Sequence, residues 1–314
     1  MRIPAMLGAS ALLLTLPLFA GCSSDSSSGS TSGSTSASSS PSPSAVSSTT
    51  GTPLKVVAAF YPLQYAASKV GDSAVSVTNL TAPGVEPHDL ELSAAQVAEI
   101  ASADLVLYVK GFQPAVDDAV AQQAADKSID VTANLALLNG TEGSDPHVWL
   151  DPANMSAIGK TIATRLASID PSAKSTFTSG SIALTSAMTS LSREFKTALG
   201  SCASKNLVVS HDAFGYLAKA FGFTQVGISG LNPEAEPSPA RMRDVANVVR
   251  DNKVSTIYYE TLVDPKVAET LATETGATAA KLDPLEGLVA GATGDYVSVM
   301  KQNLATLKVG QQCS

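Results

Sequence analysis

Charge is sparse in this sequence, and positive charge is sparser than negative. Asp, Glu, Lys and Arg make up 15% of the 314 residues, and 20 Lys+Arg stand against 28 Asp+Glu, a net charge of −8. A phosphate-binding surface needs clustered cations, so a nucleic-acid partner is excluded. An acidic surface suits a cationic ligand, but plain solubility explains it equally well. Aromatic residues reach only 5%, with one Trp, and there are three His and three Cys. The two-His helical pattern His-Glu-x-x-His is missing, and so is His-x-Glu followed by Cys-x-x-Cys. The zincin and deaminase chemistries that need those spacings drop out. The chain is long enough for one large domain or two lobes, and for a core that needs no disulfide or metal to hold it together.

An uninterrupted apolar run of membrane-spanning length is also missing at the start. Ala5 to Ala20 is apolar but broken by Gly8, Ser10 and Pro17, whereas a span needs ~20 apolar residues. Residues 1–22 fit a signal peptide instead. Its end, Phe19-Ala20-Gly21-Cys22, resembles a bacterial lipobox, in which Cys22 is lipidated and becomes the first mature residue; the alternative is an ordinary signal peptide with a chance Cys. Residues 23–50 hold 16 Ser and 4 Thr. They have nothing to bury and read as a disordered linker with a mean span of about 30 Å. The expected location is the outer face of the cytoplasmic membrane, with the body exported and anchored to the bilayer through Cys22. The mature body then keeps two Cys, Cys202 and Cys313, which either pair in an oxidising compartment or remain free thiols.

From Leu54 onward, short apolar runs alternate with helical patterns. Strands are expected at 54–60, 75–80, 104–108, 206–210, 254–259 and 277–282, with a weaker one near 223–228. Helices are expected near 63–70, 94–101, 114–124, 239–251, 265–274 and 295–307. This alternation predicts an α/β fold with parallel sheets. Residues 154–200 break the rhythm with helix alone. Phe177, Ile182, Leu184, Met188, Leu191 and Phe195 fall at helical spacing. The expected organisation is an N-terminal lobe at 51–153, a helical region at 154–200 and a C-terminal lobe at 201–314. The long helix is either a rigid strut between the lobes or a surface helix of one domain.

The three histidines share a setting. His88 follows a strand in Pro-Gly-Val-Glu-Pro-His-Asp, His147 lies in Ser-Asp-Pro-His-Val-Trp-Leu-Asp-Pro, and His211 ends a strand in Val-Val-Ser-His-Asp-Ala-Phe. Loops at the carboxyl ends of parallel strands are where such sheets bind ligands. Each His has an acid nearby, Asp89, Asp145 or Asp212, of the kind that fixes an imidazole tautomer. Three imidazoles and a carboxylate would suit Zn²⁺; otherwise the three are structural histidines.

Four segments raise the first reading: Phe60-Tyr61-Pro62-Leu63, Glu86-Pro87-His88-Asp89, Asp145 to Pro152, and Ser210 to Leu217. In that order they resemble the zinc/manganese solute-binding proteins of ABC importers, over the whole body from Leu54. The resemblance implies two parallel-sheet lobes joined by one long rigid backbone helix, with a metal in the interlobe cleft. It implies His88, His147 and His211 as ligands with a carboxylate after a late strand, for which Asp283 is the match. Glu260 is a further candidate placed behind the ligands, with Asp145 and Asp212. It implies a monomeric, non-enzymatic carrier that captures Zn²⁺ and delivers it to a membrane permease. Manganese-preferring members tend to carry Glu where His211 stands, so Mn²⁺ is the lesser expectation. A surface-anchored zinc hydrolase and a surface adhesin are the rival functions. Many zinc members have a His-rich loop between the first two ligands; here 89–146 holds no His. Tyr61, Tyr65 and Trp149 are expected in the core rather than the cleft.

Overall fold

Short, fully apolar strands need cover on both faces, and the chain supplies it by alternating strand with helix. The computed structural model describes residues 51–140 and 143–314; the signal segment, Cys22 and the Ser/Thr-rich linker lie outside the described residues. The first half runs β1 (Leu54–Ala58), α1 (Tyr61–Gly71), β2 (Val75–Asn79), α2 (Ala94–Ser102), β3 (Leu105–Tyr108), α3 (Pro114–Gln123) and β4 (Ser128–Asp130). These strands form a parallel sheet in the order β2-β1-β3-β4, with Val56 opposite both Val77 and Leu105. The central strands β1 and β3 carry the apolar side chains and are buried, whereas β2 and β4 at the edges are only half-buried. A small antiparallel pair follows, β5 (Asn139–Gly140) and β6 (Gly143–Ser144).

Two helices then connect the halves, α4 (Pro152–Ile169) and α5 (Lys174–Ala198). Asp151 caps α4 by accepting from the Ala153 N–H, and Pro152 starts it with a preset φ. The turn between them is a short 3₁₀ stretch, Pro171–Ala173, so α5 is 25 residues long, about 37 Å. α5 is the linking helix, and α4 packs along it. Near its start, Gly180 lies against α1 so closely that a Cβ would collide with the Val70 carbonyl oxygen. Near its end, Phe195 packs in a tilted arrangement against Phe221 of α6 (Gly215–Phe221), 4.8 Å between rings. One rigid element therefore grips both halves.

The second half continues from β7 (Asn206–Val209) through α6 to β8 (Thr224–Gly227), α7 (Pro239–Asp251), β9 (Thr256–Tyr259), α8 (Lys266–Thr275), β10 (Thr278–Lys281) and α9 (Tyr296–Gly310). Its strands form a second parallel sheet in the order β10-β9-β7-β8. Successive residues of β7 face opposite ways, as strand geometry demands. Leu207 and Val209 join a core that runs through α1, α4 and α5 to the first sheet. Val208 joins a second core with Ile257, Val245, Val249 and Leu271 beneath α7 and α8. The first sheet and one face of the second thus share a core, while the other face of the second sheet has its own.

Cys202 and Cys313 are joined in a disulfide that closes 111 residues and holds the end of α9 beside the start of β7. β4, the β5–β6 pair and α6 were outside the expected elements. β4 has three half-buried residues, too few for a period, and α6 has seven and opens on Gly215. Among the described residues no helix is long and apolar enough to cross a membrane.

Candidate metal centre

Both sheets change direction of winding at an inner strand pair, β1/β3 in the first and β7/β9 in the second. Crevices at the carboxyl ends of such pairs are the usual ligand sites of α/β folds. Phe60 and Phe112 follow β1 and β3, with ring centroids 4.7 Å apart, and Trp149 packs 4.7 Å from Phe60. His88 and His147 rest on this aromatic floor, 4.6 Å and 6.0 Å from the Phe112 ring. His211 follows β7 and Glu260 follows β9. Because those strands are neighbours, the Glu260 carboxylate meets the His211 ring: Nδ1 lies 2.6 Å and the His211 backbone N–H 3.1 Å from Oε1. The Ser210 hydroxyl donates to the same oxygen.

Four side chains converge. His88, His147, His211 and Glu286 place one donor atom each within 4.8 Å of one another. Glu286 Oε1 lies 3.1 Å from His147 Nε2, 3.3 Å from His211 Nε2 and 3.5 Å from His88 Nε2. The His147 and His211 Nε2 atoms are 3.3 Å apart. His147 and His211 are fully buried and Glu286 nearly so, whereas the His88 side chain retains 10% exposure.

The surroundings fix which nitrogens point inward. Asp145 Oδ1 lies 2.8 Å from His147 Nδ1 and accepts the His147 backbone N–H at 2.9 Å. A carboxylate needs a donor, so Nδ1 of both His147 and His211 carries hydrogen, and their Nε2 lone pairs face the centre. Two lone pairs and a carboxylate oxygen at about 3.3 Å repel unless a cation or protons lie among them. Glu286 Oε1 and His88 Nε2 are both buried, and the polar atoms they face belong to this same cluster. Burial alone would lower the His147 and His211 pKa values. For His147 the bonds to Asp145 and Glu286 outweigh it, raising the pKa; for His211, Glu260 and Glu286 push it up to about 10. Burial would raise the Glu286 pKa, but the three imidazoles, His211 foremost, hold it well below the usual carboxylate range.

Asp283, expected from the sequence at the fourth position, does not enter this cluster; Glu286 does. Asp283 Oδ1 accepts the Leu285 N–H at 2.8 Å, so the carboxylate closes a turn instead of reaching the cleft. Leu285 takes φ 57°, and that reversal directs the next residue, Glu286, inward. Asp212 is also elsewhere, accepting from Gln225 Nε2 at 2.9 Å. Glu260 and Asp145 do stand behind histidines. Tyr65 stacks on Tyr296 at 5.2 Å, and Tyr61, Tyr65 and Trp149 are buried core residues. Two residues escaped the sequence reading: Glu286, three positions beyond Asp283, and Phe112, which had no local pattern.

Fold and donor set together define the class: a two-lobed α/β protein with a divalent-metal donor set in the cleft between its sheets. The chain belongs to the ZnuA family, described as the periplasmic zinc-uptake complex component A, whose profile matches residues 56–310. It is 34% identical over 277 residues to the zinc-binding lipoprotein AdcA of Streptococcus pneumoniae, covering 81% of this chain and 55% of that one. The chain thus spans about half the length of that relative. It is 31% identical over 284 residues to the high-affinity zinc uptake system protein ZnuA of Bacillus subtilis, covering 83% and 89%. The solved Zn(II)-bound ZnuA-like domain of S. pneumoniae AdcA superposes with a TM-score of 0.73 at 35% identity, over 83% of this chain and 99% of that domain.

Proposed function

We propose that this chain captures one Zn²⁺ outside the cytoplasmic membrane and hands it to an ABC permease, as a monomeric carrier tethered through a lipid on Cys22. His88, His147, His211 and Glu286 are the proposed ligands. The observation that carries this reading is the spacing of the donors. Tetrahedral Zn²⁺ with bonds of ~2.0–2.1 Å holds its ligand atoms ~3.3 Å apart; four of the six donor separations are 3.1–3.5 Å, and the other two, from His88 to the other imidazoles, lie within 4.8 Å. Three nitrogens and one oxygen favour Zn²⁺ over the harder Mn²⁺. A filled carboxylate position leaves no open place for an activated water, which argues for a carrier rather than a zinc hydrolase. The relatives are named for zinc binding and zinc uptake, and the AdcA relative is named a lipoprotein. Both lobes of one chain supply the ligands, so a second copy is not required.

The test is physiological. Cells of the source organism lacking this chain should grow poorly under zinc limitation. The wild-type gene should restore growth and ⁶⁵Zn uptake, and His147→Ala should not. Equal rescue by both forms would remove this centre from uptake.

A further inference from the structure

We infer that Asp283 and Asn303 are positioning residues for Glu286, a reading that rests on the metal-capture proposal and deepens it. Glu286 reaches the centre from a loop after β10, and that loop is pinned at successive residues. Asn303 of α9 is buried and grips the Asp283 backbone at both ends, accepting its N–H at 2.9 Å and donating to its carbonyl at 2.7 Å. The Asp283 carboxylate accepts the Leu285 N–H at 2.8 Å. The Pro284 carbonyl accepts from Trp149 Nε1 of the other lobe at 2.8 Å. Leu285, fully buried, adopts φ 57°, a conformation that a bulky residue takes only when its surroundings impose it. The Asp283–Leu285 bond is the local contact that closes this reversal. Without it, Leu285 can relax to negative φ, which turns the following residue away. Glu286 Oε1 meets the three imidazoles at 3.1–3.5 Å, and the backbone beneath it sets the direction from which it reaches them. Asp283 thus acts on the metal through Glu286 while touching none of the other three donors.

The probe is Co²⁺ loaded into the chelator-stripped chain, read by its visible absorption, which reports donor set and geometry, and by its release rate to excess chelator. Asp283→Ala should shift the spectrum toward that of Glu286→Gln and speed release about tenfold, within the ~10–100-fold range of groups that orient ligands. Asp283→Asn keeps an acceptor for the Leu285 N–H and should restore both readings. In a Glu286→Gln background, Asp283→Ala should add nothing. A folded Asp283→Ala with wild-type spectrum and release, or an effect that simply adds to Glu286→Gln, would overturn the inference. If Asp283→Ala does not fold, Asn303→Ser carries the test: the same spectral shift supports the inference, and a wild-type spectrum refutes it. A wild-type chain that takes up no Co²⁺ or Zn²⁺ would instead sink the metal-capture reading itself.

Discussion

His147 and His211 are fully buried, with Nδ1 on a carboxylate at 2.8 Å and 2.6 Å, whereas His88 keeps some exposure and hangs from a loop. That loop is held by Glu86, whose carboxylate accepts the His88 N–H at 3.1 Å, and by the edge-on contact with Phe112. The difference separates two tasks that a carrier must combine. The clamped pair presents preset lone pairs and sets which ion fits. The less buried arm is the donor expected to leave first, because it hangs from a loop and keeps some exposure. On the proposed function, capture strength and release rate would be governed by different residues.

The largest effect should follow loss of a clamped ligand. His147→Ala or His211→Ala should weaken Zn²⁺ binding more than ~100-fold, beyond the range for groups that only orient ligands, as measured by competition with a chromophoric chelator. Lowering pH should act next. The metal-free centre favours imidazolium, with His211 pushed up to about 10 and His147 raised. Zinc must therefore displace protons at neutral pH, and affinity should rise with pH by about tenfold per unit for each proton released. Calorimetry in buffers of different ionisation enthalpy counts those protons; a count of zero would contradict the assignment. Replacing a clamp, Asp145→Asn or Glu260→Gln, should cost ~10–100-fold. His88→Ala should cost least, about tenfold, mainly through faster release in stopped-flow chelation. Equal losses for His88→Ala and His147→Ala would erase the contrast. Cys313→Ser should leave zinc affinity unchanged while lowering stability by ~2–4 kcal/mol, since the bridge closes a long loop, as read by denaturant unfolding.

Much of this architecture was legible in the chain. The apolar runs that became β1, β3, β7 and β9 are short, flanked by helical periods, and buried in the sheet centres. The histidines were legible because each ends such a run or sits beside a turn-forming Pro. The fourth donor was not. Choosing between Asp283 and Glu286 depends on a left-handed Leu285 and one side-chain hydrogen bond, and neither leaves a pattern in composition or spacing. The same holds for Phe112, whose contact with His88 crosses from one strand end to another. Asp212 shows the reverse: although it adjoins His211 in sequence, its carboxylate bonds Gln225 of β8.

The most direct test of the central claim is a metal competition on the purified chain, made without an affinity His-tag and stripped with chelator. It would be offered equimolar Zn²⁺, Mn²⁺ and Cu²⁺ at neutral pH, with His147→Ala beside it. The account predicts about one Zn²⁺ retained per chain, little Mn²⁺, and loss of the zinc in the mutant. No retained zinc, or zinc indifferent to His147, would contradict it.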